Sequence, residues 1–183
     1  MATLLTVGHG EATQTQLTDL LAGAGVGLVV DVRRFPGSRR HPHFARAEME
    51  QWLPASGIGY RWEPRLGGRR RVPRDDADAD SDPWWRVAAF RAYAAHTRTP
   101  EFRAATGDLL ADVSGREDRV AIMCSESLWW RCHRRLIADA AVLLDHVSVR
   151  HLGHDGKLTD HVPAAGARIS AEGLRYDLAD AVP

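Results

Sequence analysis

The chain has 183 residues, 44% of them apolar, and its 24 basic side chains are balanced by 24 acidic ones. That length supports one domain with a real core, and no apolar run approaches the eighteen or so residues of a membrane span. Two cysteines are too few for a disulfide scaffold, so the expected setting is cytoplasmic, with reduced thiols and no membrane partner.

The opening MATLLTVGHG has neither a basic start nor a small-residue cleavage site, and reads as a first strand over 3–8 rather than a signal peptide. The spacing predicts a helix over 13–25, with Thr13 as N-cap, and then a buried strand over 26–33. A short helix over 45–57, ending near Pro54, leads to a third strand over 58–63. Two helical stretches, 84–99 and 101–115, are split by Pro100. RVAIMCS (119–125) is a strongly apolar strand, 131–146 carries apolar residues at helical spacing, and 147–153 is a fifth strand. The segment 156–183 is weakly patterned and yields no assignment. Strands alternating with helices predict a single layered α/β domain over 1–183, with a mostly parallel sheet of four or five strands, Rossmann-like in plan.

Charge is unevenly spread. Residues 31–74 hold eleven arginines and no lysine against four acids, and an acidic loop over 75–82 follows with five aspartates. Arginine's planar fork suits bidentate capture of phosphate or carboxylate. The acidic loop is expected to cover this basic surface when no ligand is present.

In parallel sheets, ligands bind beyond the carboxyl ends of the strands. After the first strand comes Gly8-His9-Gly10; after the second, Asp31, Arg33, Arg34 and FPGSRRHPHF; after the third, Glu63 and RLGGRRR. The fourth ends at Cys124-Ser125-Glu126, and the fifth leads to Arg150, His151 and His154. Parallel strands would gather all of these on one rim.

Several of these segments carry a resemblance: TVGHG, VVDVRRFPGSRRHPHF, YRWEPRLGGRR, FRAYAAHTRTPEFRAATGDLLA, VAIMCSESLWWRCHRRLIADA and VRHL, together covering most of residues 4–152. In order and spacing the chain resembles the bacterial and archaeal family called domain of unknown function 488. Its most specific feature here is Cys-x-Glu, five residues, then Cys-His-Arg-Arg. Gly10 departs from the family, which more often has serine there. The resemblance implies a compact α/β fold and names no reaction.

Cys124 at a strand end, beside a helix N-terminus and arginines, is the expected nucleophile, its thiol pKa lowered. Glu126 and His9 are the expected acid–base partners. Arg33, Arg39, Arg40 and the turn Gly67-Gly68-Arg69-Arg70 are expected to hold phosphates. Trp129, Arg131, His133, Arg134 and His151 are expected to complete the substrate surface, with an exposed ring for base stacking. A Cys-x5-Arg or Cys-x4-Arg oxyanion loop does not fit, because six residues separate Cys124 from Arg131. A strand ending in Cys before a helix, after an early VVDVR, leaves a distant analogy to the rhodanese order. No metal is assigned. Cys124-x7-Cys132 is not a zinc-ribbon spacing, and on a helix Cys132 and His133 would point about 100° apart. Were a metal held, His9, Cys124, Glu126 and His151 are the candidate ligands. The cofactor and the oligomeric state are both left open.

The leading expectation is an enzyme acting on a phosphate-bearing substrate, a nucleotide or nucleic acid, in a repair-type step. A non-catalytic nucleic-acid or anion-binding module is one alternative. A thiol redox or sulfur-transfer protein, with Cys132 as resolving thiol, is the other.

Overall fold

The apolar run TLLTVG forms β1 (Thr3–Gly8), buried on both faces as the central strand of a sheet. The computed structural model describes residues 3–37, 39–72 and 81–179. α1 (Gln14–Gly23) starts on a reciprocal cap in which Thr13 Oγ1 accepts from the Gln16 amide and the Gln16 side chain accepts from the Thr13 amide. β2 (Val26–Asp31), α2 (Arg46–Ala55) and β3 (Gly59–Trp62) follow. α3 (Ala88–Thr97) and α4 (Pro100–Gly115) come next, with Pro100 in the first turn of α4 and Thr99 capping it. β4 (Arg119–Cys124), α5 (Arg134–Leu143), β5 (Ser148–Leu152) and β6 (Leu158–Asp160) complete the sheet.

Its order is β3-β2-β4-β1-β5-β6, with the first five strands parallel and β6 antiparallel on the edge. The mostly parallel α/β sheet is as expected, with one strand beyond the expected number. α1 and α2 cover one face, where Leu17, Leu21, Met49 and Leu53 meet Leu5, Val7, Val29 and Met123. α3, α4 and α5 cover the other, where Tyr93, Phe102, Leu109 and Leu136 meet Leu4, Val30 and Ile122. Among the described residues, no helix is long and apolar enough to cross a membrane.

The weakly patterned tail also has structure. β6 is followed by a hairpin, β7 (Ala167–Ser170) and β8 (Gly173–Tyr176), packed against α3. Two polar clusters fasten it. Asp82 takes the Arg98 guanidinium and the Tyr176 amide in a buried site. Most of the acidic loop, 75–80, lies outside the described residues; its last aspartate, Asp82, is buried.

The second cluster is a chain of hydrogen bonds. The Asp139 carboxylate accepts from Tyr176 Oη and from His161 Nε2. His161 Nδ1 then accepts from His151 Nε2, and His151 Nδ1 from the Thr6 hydroxyl. Because the carboxylate only accepts, each ring's tautomer follows from its neighbour. All five side chains are buried.

Burial, the adjacent His161 and Arg134 lower the His151 pKa from 6.5 to about 3. Within that window the unfolded chain takes up a proton that the folded ring refuses. The stabilisation is therefore fully present above pH 6.5 and is lost as pH falls, by about 1.4 kcal/mol per pH unit for this one group. Urea midpoints should drop between about pH 7 and about pH 4, and less steeply for His151→Gln than for the wild type. Equal slopes would remove His151 from the acid response.

Candidate active site

Connections leave β1 and β4 for opposite faces of the sheet, since α1 packs on one face and α5 on the other. A crevice opens where neighbouring strands part in this way. Register puts Gly8 beside Cys124 and Asp31 beside Met123, so three strands end at one level. The ladder continues into the turns: the His9 amide donates to the Cys124 carbonyl at 2.9 Å, Gly10 to Ser125 at 3.0 Å and Val32 to Met123 at 2.9 Å. Gly8 has no room for a side chain, because a Cβ would overlap the Glu126 backbone.

The crevice has two lobes that share Arg33, Phe35, Arg69 and Ser125. The outer lobe, about 480 Å3, adds His9, Glu11, Arg40, His41, Glu126 and Ser127. The inner lobe, about 140 Å3, adds Arg34, Gly68, Cys124 and His133. Another cavity, of about 370 Å3 against α4 and the β7–β8 turn, contains neither a cysteine nor a histidine.

Arg33 is 7% exposed and Asp31 is fully buried. Arg33 donates to Asp31 through Nε at 2.9 Å and Nη2 at 2.6 Å, and Nη2 also reaches the Phe44 carbonyl at 2.8 Å. Tyr60 Oη donates to Asp31 at 2.7 Å. Asp31 thus fixes and neutralises Arg33 at the cleft wall.

His9 is buried, stacked on Phe44 with ring centroids 4.1 Å apart. Its Nδ1–H donates to the Gly10 carbonyl at 2.9 Å, leaving the Nε2 lone pair to face Arg33 Nη1 at 3.4 Å. Burial and the Arg33 charge pull its pKa down to about 4, so the ring is neutral near pH 7.

The segment between β4 and α5 departs from expectation. α5 begins at Arg134, not 131, and residues 125–133 form a loop around a 3-10 turn, Trp129–Arg131. Cys132 is extended and His133 lies outside the helix, so the helical 100° separation does not apply. Cys124 Sγ, Cys132 Sγ and His133 Nδ1 all lie within 4.8 Å of one another. His133 Nε2 donates to the Val32 carbonyl at 2.9 Å, which leaves the Nδ1 lone pair facing sulfur, 3.6 Å from Cys132 and 4.0 Å from Cys124. Arg134 Nε donates to Cys132 Sγ at 3.3 Å, and its Nη2 donates to the Glu126 carbonyl.

This arrangement corrects the expected lowered pKa at Cys124. Its hydrogen bond to Cys132, together with burial, pushes the Cys124 thiol up to about 12. Burial also opposes ionisation of Cys132, but the Cys124 hydrogen bond and the Arg134 charge outweigh it and bring that thiol down to about 6. The Arg134 guanidinium beside Cys132 is the charge that favours ionisation on that side of the pair.

Other expected site residues are dispersed. Arg39 and Arg131 are exposed and line neither lobe. Arg40 borders the outer lobe while paired with Glu11. Arg70 braces its own loop through the carbonyls of Pro64, Arg65 and Gly67. Gly67 packs against the Arg34 backbone, and the positive φ in this turn belongs to Arg69, at 57°. Arg134 is buried and positions the loop. Trp129 stacks on His151 at 3.9 Å, and both face a different cavity. The candidate ligand set of His9, Cys124, Glu126 and His151 does not assemble: His151 belongs to the buried chain, the His9 nitrogens are engaged, and Glu126 Oε1 accepts from the Leu128 amide.

Removing Asp31 strands a buried guanidinium. Asp31→Ala should cost about 3–5 kcal/mol in urea unfolding, and the apolar pair Asp31→Leu/Arg33→Met should recover much of that loss. A cost under about 1 kcal/mol for Asp31→Ala would mean that the pair does not hold the wall.

A family model described as domain of unknown function DUF488 matches residues 13–141. No curated protein and no solved structure matches the chain.

Proposed function

The chain belongs to the family described as domain of unknown function DUF488, and we propose that it is an enzyme acting on a phosphate-bearing substrate of nucleotide size, free or at the end of a nucleic-acid strand. The observation that carries this reading is the two-lobed crevice at the parting of β1 and β4, with arginines on its walls and the Cys124 thiol in its inner lobe. Its volume is in the range of small-ligand sites rather than a groove for an extended duplex.

Arg33 is neutralised by Asp31, so the positive charge offered to a ligand comes chiefly from Arg34 and Arg69, both exposed. Arg34 Nη1 donates to the Arg69 carbonyl at 3.1 Å, which holds the two side by side across the inner lobe. Phe35 is 64% exposed and borders both lobes. An exposed ring next to two guanidinium groups supplies a stacking surface for a base and donors for its phosphate. Trp62 is covered more closely, with Arg46 over its ring at 4.2 Å, whereas Arg34 stands 5.5 Å from the Phe35 ring centre. In this reading the phosphate sits between Arg34 and Arg69, and the thiols and Glu126 approach it from the two lobes.

Titration with a fluorescent deoxynucleoside monophosphate tests the reading. Arg69→Ala and Arg34→Ala should each weaken binding about 10- to 100-fold, the value of one charge-assisted hydrogen bond. Phe35→Ala should weaken the nucleotide but not inorganic phosphate. Unchanged affinity in all three variants would end the proposal. Binding without turnover of any nucleotide by the intact protein would leave a non-catalytic anion-binding module.

A further inference from the structure

We propose that Cys124, Cys132 and His133 hold one thiophilic divalent ion, zinc by chemistry, with a fourth coordination position open to the inner lobe. The inference rests on these three side chains and their supports, not on the identity of the substrate.

The first argument is distance. In a tetrahedral site with Zn–S of about 2.3 Å and Zn–N of about 2.0 Å, sulfur and nitrogen ligand atoms stand about 3.5 Å apart. His133 Nδ1 lies 3.6 Å from Cys132 Sγ and 4.0 Å from Cys124 Sγ. Two of the three edges thus stand near the length such a tetrahedron needs, and the two sulfurs lie within 4.8 Å of each other.

The second argument is tautomer. The Val32 carbonyl can only accept, so His133 carries its proton on Nε2 and presents the Nδ1 lone pair to the two sulfurs. Ligating histidines are typically fixed in this way by a backbone carbonyl or a carboxylate on the far nitrogen. Arg134 adds a donor to Cys132 Sγ from the side of the loop. Two sulfurs and an imidazole select a soft or borderline ion over magnesium or calcium.

The third argument is space. A Cβ on Gly68 would lie 2.9 Å from His133 Nδ1. The missing side chain keeps open the approach to that lone pair from the inner lobe, which Gly68 borders together with Arg33, Arg34 and Arg69. Three protein ligands and an open position are the pattern of a reactive rather than a structural zinc site. Water or a ligand oxygen would take the fourth place, next to the arginines.

The test uses the reduced, chelator-treated full chain and the metal alone, so it is independent of the nucleotide titration. Cobalt(II) should bind at one equivalent per chain with the intense visible bands of a tetrahedral site and a thiolate charge-transfer band. Zinc should displace it, and should protect both thiols from alkylation. Cys124→Ser, Cys132→Ser and His133→Gln should each weaken binding at least about 100-fold, more than the loss of a supporting hydrogen bond. Because those substitutions are buried and remove a ligand, Gly68→Ala provides a variant that keeps all three ligands and only crowds the His133 Nδ1 lone pair. It should keep the fold, as read by circular dichroism, and still weaken metal binding about tenfold. The proposal is overturned if the folded, reduced protein gives no cobalt spectrum, or if the spectrum survives loss of either cysteine. It is equally overturned if zinc leaves alkylation unchanged, or if Gly68→Ala binds as tightly as the wild type.

Discussion

The cleft depends on how closely β1 and β4 approach as they part. Gly8 and Cys124 are register partners, and the next two amides of the first turn donate to the carbonyls of Cys124 and Ser125. Two chains bound for opposite faces are thus zipped together past their strand ends. Gly8 permits this, because any Cβ there would drive into the Glu126 backbone. The departure from family habit at Gly10 is also local geometry here: its φ is 53°, and a Cβ would overlap the Ser127 hydroxyl. A left-handed glycine at this point lets the first turn lie flat on the second.

Electrostatics then decide which arginines face outward. Of the eleven in residues 31–74, several are consumed by the fold. Arg33 is held by Asp31, Arg61 by Glu63 and Asp112, Arg65 by Glu63 and Asp108, and Arg70 by three carbonyls. Glu63 is buried between two of them and anchors the end of β3 to α4. Arg40 and Glu11 form an exposed pair of small net worth, which a stronger anion can open. Among the described arginines that line the two lobes, Arg34 and Arg69 are exposed and have no carboxylate partner of the kind that holds Arg33 and Arg40.

What the sequence made legible follows the strength of its periodic signals. The strands TLLTVG, VGLVVD and RVAIMC are nearly continuous apolar runs, and their burial on both faces is what a parallel sheet requires. The rim shared by His9, Arg33 and Cys124 followed from that sheet and from nothing else. Residues 131–133 are expected on the helix because Leu136, Ile137 and Ala140 extend a helical pattern backwards into residues that carry no pattern of their own. A helical Cys132 and His133 would diverge, which hides their convergence with Cys124. The sequence places His151 at the end of the fifth strand and hence on the rim, but within β5 it pairs with Thr6 and turns into the buried hydrogen-bonded chain. Its partners His161 and Tyr176 lie in the weakly patterned tail, where a short hairpin leaves little periodic trace.

That tail also bears on the site. The loop 125–133 has one 3-10 turn and is otherwise irregular, so its shape is set by contacts from outside. Gly10 holds its start, Arg134 ties the Glu126 carbonyl to Cys132, and Trp129 lies flat on His151. His151 is oriented by His161, which is oriented by Asp139, which also takes Tyr176 from the hairpin. Disturbing the chain at any point would loosen the ring on which Trp129 rests, and with it the middle of the loop that delivers Cys132 and His133. The segment after β5 is thus the far end of a continuous support, running from the hairpin through Tyr176, Asp139, His161 and His151 to Trp129 in the loop that carries Cys132 and His133.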